Sequence, residues 1–234
     1  MKIITTYFDH PGRLDYSRLH RVWRASVEAT MPDAEALTLS PALQEAWSNR
    51  PSWQNNRAKM EAWGKVADNL DEPTILMDCD MLVRSDLSSA FESVEHVGLT
   101  KRTECRWPIN GGVVFLQPTD EARRFLRIWN KLDRKLYQDK ALHHYWRERF
   151  GGMNQAALGL MLTNYDVAEP QYFPCAKWNA CDEDWANVGT ATRVVHYKGD
   201  LRKATLSDAP TQVFRDDLRS LVEQWREAEA ACTA

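Results

Sequence analysis

Segments typical of β-strands alternate with segments typical of α-helices through the first half of this chain. Strand-like runs rich in β-branched and aromatic residues occupy residues 2–8, 34–40 and 74–78. Between them, residues 14–30 and 55–70 carry apolar side chains at helical spacing. Because parallel strands are joined by crossover helices, this alternation predicts an α/β protein built on a parallel sheet.

The second half of the chain predicts further strands and helices. The expected strands are 96–100, 110–118 and 192–199, and the expected helices are 119–149, 154–162 and 211–230. The sequence contains no internal repeat, low-complexity tract or linker. We therefore expect residues 1–234 to form a single domain.

Composition limits the function classes that this chain can belong to. Hydrophobic residues make up 44% and charged residues 27%, and the formal net charge of −3 provides no strong basic field for nucleic acid or membranes. The start, MKIITTYFDH, has too short an apolar run for a signal peptide, and no stretch reaches the roughly 18 apolar residues of a spanning helix. The five cysteines are odd in number and form no Cys-x-x-Cys motif. We expect reduced thiols, a cytoplasmic protein and no stable membrane insertion.

Two aspartates, Asp78 and Asp80, end the predicted strand in the stretch TILMDCDMLV. In open α/β sheets, ligands bind beyond the carboxyl ends of the strands. Side chains two residues apart on a strand point to the same side, so these carboxylates would repel one another unless a cation or a proton neutralised one. A hard divalent ion that also holds substrate phosphates is the expected partner.

Two enzyme classes place Asp-x-Asp after an apolar strand. In haloacid-dehalogenase-like phosphatases the first aspartate is a nucleophile, the motif lies near the chain start, and Gly-Thr or a similar pair follows. Here Met81 and Leu82 follow, and the motif comes after a strand, a helix and a second predicted unit. The other class is the nucleotide-sugar glycosyltransferases, in which the motif follows a nucleotide-binding βαβ region.

The rest of the sequence resembles the GT-A glycosyltransferases, most closely those of glycosyltransferase family 8. Six stretches match in the family's order: KIITTYFD, the run NRAKMEAWGKVADNLDEPTILMDCDMLV, INGGVVFLQ, GGMNQAALG, FPCAKWN and VVHYKGDLRK. The resemblance implies a GT-A (Rossmann-like) fold with a mixed, mostly parallel sheet flanked by helices. It also implies transfer of a sugar from a nucleoside-diphosphate sugar, with UDP-sugar favoured.

The resemblance implies a metal site at three residues. Asp80 and His196 would be direct ligands, and Asp78 would be either a ligand or a partner of the donor's ribose. One imidazole, two carboxylates and two diphosphate oxygens suit Mn²⁺, with Mg²⁺ as the alternative.

The resemblance assigns further residues to the donor. Tyr7 would stack on the nucleotide base and Asp9 would bond it, while Arg57 and Lys59 would reach the diphosphate or the sugar from the 55–70 helix. Gly199 would let the backbone approach the diphosphate. Lys203 would neutralise the charge of the leaving group, with Arg202 and Lys198 as alternatives.

The sugar side of the donor site would be formed by Asn110, which would bond sugar hydroxyls, and Gly111, which would make room for the ring. Asn154 and Gln155 occupy the positions where many relatives carry Asp-Gln, and Gln155 would lie near the anomeric carbon. An amide cannot act as a general base, so the resemblance favours a reaction with retention. The other acids left as possible bases are Glu104, Asp182 and Asp184.

Two alternatives to a transferase remain open from the sequence. One is an Asp-x-Asp phosphohydrolase, and the other is a nucleotide-sugar-binding protein without turnover, which the asparagine at 154 keeps possible. The acceptor and the oligomeric state are not identified. A saccharide or a protein side chain is favoured as acceptor, but residues 121–150, with nine Lys/Arg against four Asp/Glu, leave an anionic acceptor open.

Overall fold

The computed structural model of the protein describes residues 1–8, 15–41, 51–103, 106–207 and 216–232. Two residues named above, Asp9 and Glu104, lie outside these ranges.

The described residues form strands and helices in the alternating order expected from the sequence. The strands are β1 Lys2–Thr6, β2 Glu35–Leu39, β3 Thr74–Asp78, β4 Met81–Val83, β5 Val97–Lys101, β6 Ile109–Leu116, β7 Gln171–Pro174 and β8 Val194–His196. The helices are α1 Tyr16–Thr30, α2 Pro51–Val66, α3 Asp120–Gln138, α4 Lys140–Phe150, α5 Asn154–Asn164, α6 Cys175–Trp178, α7 Gly199–Leu206 and α8 Asp216–Ala231.

Six strands form the main sheet, in the order β2-β1-β3-β6-β5-β7. Strand β1 pairs in parallel with β2 and β3, and β7 pairs in parallel with β5. Strand β6 runs antiparallel to both of its neighbours, β3 and β5. The mixed, mostly parallel sheet predicted from the sequence is therefore confirmed.

Helices cover both faces of this sheet, which explains why all eight residues of β6 are buried. Neighbouring residues of one strand face opposite sides. Ile4 belongs to the core that contains Trp63 of α2 and Trp129 of α3, whereas Ile3 belongs to the core that contains Trp23 of α1. A third cluster joins α1, α7 and α8.

The structure departs from the predicted elements in two ways: one expected helix is divided, and several short elements were not expected. Asp139 breaks the expected 119–149 helix, because its side chain accepts a hydrogen bond from the Leu142 amide at 3.0 Å and caps α4. Strands β4 and β7 and helix α7 were not expected. Among the described residues, no helix is both long and apolar enough to cross a membrane.

Candidate metal and ligand site

A second, two-stranded sheet brings the end of the chain back to the Asp-x-Asp motif. Strand β4 pairs antiparallel with β8 so that Met81 lies opposite His196. His196 Nε2 lies 3.2 Å from Asp80 Oδ1 and 3.8 Å from Asp78 Oδ2. One ligand atom from each of these three residues falls within 4.8 Å of the others. The three residues that the sequence proposes as metal ligands therefore meet in space.

Two cations neutralise the paired carboxylates in this structure. Lys59 Nζ lies 2.6 Å from Asp78 Oδ1, and Arg202 Nη1 lies 3.0 Å from Asp80 Oδ2. Burial raises the pKa of Asp80, but His196 and Arg202 outweigh that effect and lower the pKa to about 2. Asp80 is therefore ionised at neutral pH and available to a cation.

The other side of the His196 ring is held by an amide that the sequence reasoning gave no role. His196 Nδ1 lies 3.1 Å from Asn179 Oδ1, and Asn179 Nδ2 donates to Thr100 Oγ1 at 2.9 Å. When Nε2 carries no proton, as metal binding requires, Nδ1 donates to Asn179 Oδ1 and the Nε2 lone pair points at the carboxylates. Two carboxylates and an imidazole fixed in this way are a suitable ligand set for Mn²⁺ or Mg²⁺.

A glycine of β6 lies against the cluster, but it is Gly112 rather than the predicted Gly111. A Cβ on Gly112 would lie 2.9 Å from His196 Cε1 and 3.1 Å from Asp78 Oδ2. The same atom on Gly111 would lie 3.4 Å from its nearest neighbours, Asn154 Nδ2 and a leucine methyl group. The predicted Asn110 is 3% exposed, and its side chain bonds the Gly112 amide and Cys181 Sγ.

A cavity of about 240 Å³ lies over the cluster, at the carboxyl ends of β1 and β3. Its lining includes Thr6 and Phe8, Tyr16 at the start of α1, and Asn55 and Asn56 of α2. Lys59 and Arg202 also line it, next to the two aspartates.

The predicted Tyr7 does not line this cavity, because adjacent residues of an extended chain point to opposite sides. Its ring stacks instead on His20, at a centroid distance of 5.0 Å. Phe8 and Tyr16 are the aromatic side chains that the cavity offers to a ligand.

Three other predicted donor residues have different surroundings. Arg57 is fully buried in an ion pair with Asp133 at 2.7 Å, so it belongs to the core and cannot reach a donor in this arrangement. Lys203 is 70% exposed and pairs with Asp200 at 3.0 Å, whereas Arg202, named above as its alternative, lies 3.0 Å from Asp80 and lines the cavity. Gly199 has a φ of 53°, a conformation that favours glycine.

Asn154 and Gln155 begin α5 beside β6. Asn154 is 7% exposed; its Oδ1 accepts from the Gln155 amide at 3.0 Å and its carbonyl accepts from Trp129 Nε1 at 2.9 Å. The Gln155 side chain donates to the Ile109 carbonyl. Of the other acids considered, Asp182 pairs with Lys198 at 2.7 Å and Asp184 accepts from the Cys181 amide at 3.2 Å.

No protein-family model matches the sequence, and no curated protein matches it. Solved structures do match. The galactosyltransferase LgtC, in complex with donor and acceptor sugar analogs, has a TM-score of 0.61 at 17% identity, over 100% of this chain and 97% of that one. A glycosyltransferase involved in glycosylation of the major capsid of PBCV-1 has a TM-score of 0.59 at 12% identity, over 100% and 98%. GlyE of Streptococcus pneumoniae TIGR4 has a TM-score of 0.60 at 15% identity, over 97% of this chain and 59% of that one. The fold expected from the sequence resemblance, that of the GT-A glycosyltransferases, is therefore confirmed for this chain.

Proposed function

We propose that this protein is a metal-dependent glycosyltransferase that uses a nucleoside-diphosphate sugar, with UDP-sugar favoured, and retains the anomeric configuration. The observation that carries this proposal is the convergence of Asp78, Asp80 and His196 beneath a cavity at the carboxyl ends of two parallel strands. The glycosyltransferase fold of the solved neighbours supports the same class of reaction.

Different residues around the cavity would bind different parts of the donor. Asp78, Asp80 and His196 would hold Mn²⁺ or Mg²⁺, which when bound neutralises charge on the diphosphate leaving group. Lys59 and Arg202, which now pair with the two carboxylates, would turn to the phosphate oxygens. The absence of a side chain on Gly112 gives Asp78 and His196 room to pack against β6.

We propose retention because the first residue of α5 carries an amide side chain rather than a carboxylate. Asn154 is an amide and cannot accept the acceptor's proton. In the proposed step the acceptor oxygen forms its bond to the anomeric carbon on the side from which the diphosphate leaves, and the acceptor proton passes to a diphosphate oxygen. Gln155, beside β6, would lie next to the reacting carbon.

The first test is thermal unfolding with a panel of nucleoside diphosphates, each with and without Mn²⁺. We expect one diphosphate to raise Tm only when Mn²⁺ is present. A ligand at 100 times its Kd stabilises the folded state by roughly 2.7 kcal/mol, which raises Tm by roughly 5–10 °C for a domain of this size.

Asp80→Ala and His196→Ala should remove this rise in Tm, whereas Asp68→Asn, an exposed acid in a surface ion pair, should keep it. Failure of every nucleotide to raise Tm at millimolar concentration would reject the donor site. A rise without transfer or slow donor hydrolysis would favour the binding protein without turnover. Phosphate release through an aspartyl-phosphate at Asp78, independent of nucleotide, would identify a phosphohydrolase.

A further prediction concerns the close approach of β6 to the cluster. Gly112→Ala should weaken Mn²⁺ binding by roughly 10- to 100-fold, the size of effect seen when the support of a metal ligand is disturbed, because the new methyl group would displace the His196 ring. Isothermal titration with Mn²⁺ measures this loss. Gly111→Ala, in the same strand and without such close neighbours, is the matched control, and equal affinities of the two variants would contradict the prediction.

A further inference from the structure

A second cavity, of about 330 Å³, opens beside the end of α4. It is lined by Arg106 and Trp107 from the segment before β6, by Arg147 and Glu148 from α4, and by the turn 151–152. Its volume falls in the range of roughly 300–1,000 Å³ that is usual for sites that bind small molecules. Arg147 and Glu148 belong to the basic region 121–150 that left an anionic acceptor open, but the sequence assigned no individual role to any of these residues.

The indole of Trp107 is fixed against the backbone of the turn and still 40% exposed. A Cβ on Gly151 would lie 3.0 Å from Trp107 Cγ and Cδ2, and Gly151 has a φ of 69°. Close contact and backbone conformation therefore both require glycine here. The result is an apolar surface at the mouth of a cavity, suited to pack against the C–H face of a sugar ring.

Two arginines and one glutamate are among the residues that line this cavity. Arg106 Nε donates to the Glu148 carbonyl at 3.1 Å, which holds its guanidinium in place. Within the described part of the chain, Arg147 forms no ion pair. Among the described residues that line the cavity, Glu148 is the acid, and its carboxylate lies 3.3 Å from His144 Nε2. Guanidinium groups bind carboxylate and phosphate oxygens in pairs of hydrogen bonds, so the surplus cation favours an anion.

Gln155 links the turn 151–152, which lines this cavity, to strand β6. A Cβ on Gly152 would lie 2.7 Å from Gln155 Oε1, so the Gln155 side chain lies against the turn 151–152. The Gln155 amide bonds the carbonyl of Ile109, the first residue of β6. Three residues further along β6, Gly112 contacts His196 and Asp78. Gln155 and β6 therefore connect the turn that lines this cavity to the strand that packs against the metal cluster.

We propose that this cavity binds the acceptor, and that the acceptor is a saccharide that carries a carboxylate or a phosphate. The inference rests on the proposed transferase function. Trp107 packs against the sugar ring, Arg106 and Arg147 bind the anionic group, and a hydroxyl is directed past Gln155 toward the donor. This arrangement selects acidic sugars over their neutral counterparts by charge pairing rather than by shape.

The test is saturation-transfer NMR with three probes: methyl glucuronoside, methyl glucoside 6-phosphate and methyl glucoside. We expect the wild-type protein to bind at least one acidic probe at least about tenfold more tightly than the neutral one, and the probes to distinguish carboxylate from phosphate. Arg147→Gln should remove that preference, and Trp107→Ala should weaken all three. Arg124→Gln, an equal charge change on the exposed surface of α3, is the matched control and should bind as the wild type.

Equal binding of acidic and neutral probes, or an Arg147→Gln variant that keeps the preference, would overturn the inference. The proposed function would not be affected by that result, because the nucleotide-dependent rise in Tm tests it separately. If no nucleotide raises Tm but the protein still prefers acidic sugars, the transferase function is rejected. The cavity would then be an acidic-sugar site that does not bind an acceptor. A short single-stranded oligonucleotide is a further probe. If it binds more tightly than the sugars, and if Arg124→Gln lowers its affinity as much as Arg147→Gln does, the basic region binds nucleic acid and the inference is overturned.

Discussion

Asp80→Asn is expected to lower the rate of sugar transfer by roughly a thousandfold or more, since metal-ion stabilisation is worth several kcal/mol and each 1.36 kcal/mol is a factor of ten. Asp80 lies within reach of His196 and Arg202, and its pKa of about 2 keeps it charged. The amide retains the shape of the side chain but removes the charge that a divalent ion needs. The measurement is product formation from the donor identified by the thermal panel, at saturating Mn²⁺.

The control separates loss of charge at the site from loss of charge in general. Asp68→Asn removes an exposed carboxylate, 63% accessible, from a surface ion pair with Arg127, a pair worth roughly 0–1 kcal/mol, and should leave the rate unchanged. Circular dichroism should show that Asp80→Asn is folded. If Asp80→Asn transfers sugar at more than about a tenth of the wild-type rate, the reaction does not require a metal at this cluster.

The central part of the fold could be predicted because local signals are strong there. Strands β1 and β3 are short apolar runs buried on both faces, and α1 shows a clear helical repeat. The Asp-x-Asp motif could be located because it directly follows β3. What the local pattern does not contain is the pairing of β4 with β8. The strand signal at 192–199 does not indicate that its partner is a three-residue strand more than a hundred residues earlier in the chain.

The errors in the site have the same physical origin, because they depend on partners distant in the sequence. Arg57 and Lys59 are basic residues two positions apart, so they lie on different sides of α2. Only Lys59 faces Asp78, whereas Arg57 faces Asp133 of α3, which is 76 positions away. Asn179 ends the stretch FPCAKWN, which carries part of the resemblance, but its contact with the metal cluster appears only when β8 places His196 beside it.

The Arg57–Asp133 ion pair leads to the largest stability effect that we expect. Both side chains are fully buried, at 0% and 1% exposure, and burial raises the pKa of Asp133 to about 6 despite the neighbouring guanidinium. Asp133→Ala should lower the free energy of unfolding by roughly 3–5 kcal/mol at pH 7.5, because it leaves the Arg57 charge buried without its carboxylate. Urea denaturation measures this loss, and the exposed change Arg127→Ala, expected to cost roughly 0–1 kcal/mol, is the control.

A double variant tests whether the cost comes from the stranded charge or from the missing side-chain volume. Arg57→Met combined with Asp133→Leu replaces the pair by apolar groups of similar size, and such replacements of buried ion pairs are often neutral or stabilising. We therefore expect the double variant to recover most of the stability that Asp133→Ala loses. It should also keep the nucleotide-dependent rise in Tm, since neither residue lines the cavity over the metal cluster. If a well-folded double variant shows no nucleotide-dependent rise in Tm, Arg57 contributes to donor binding, as the sequence resemblance implied.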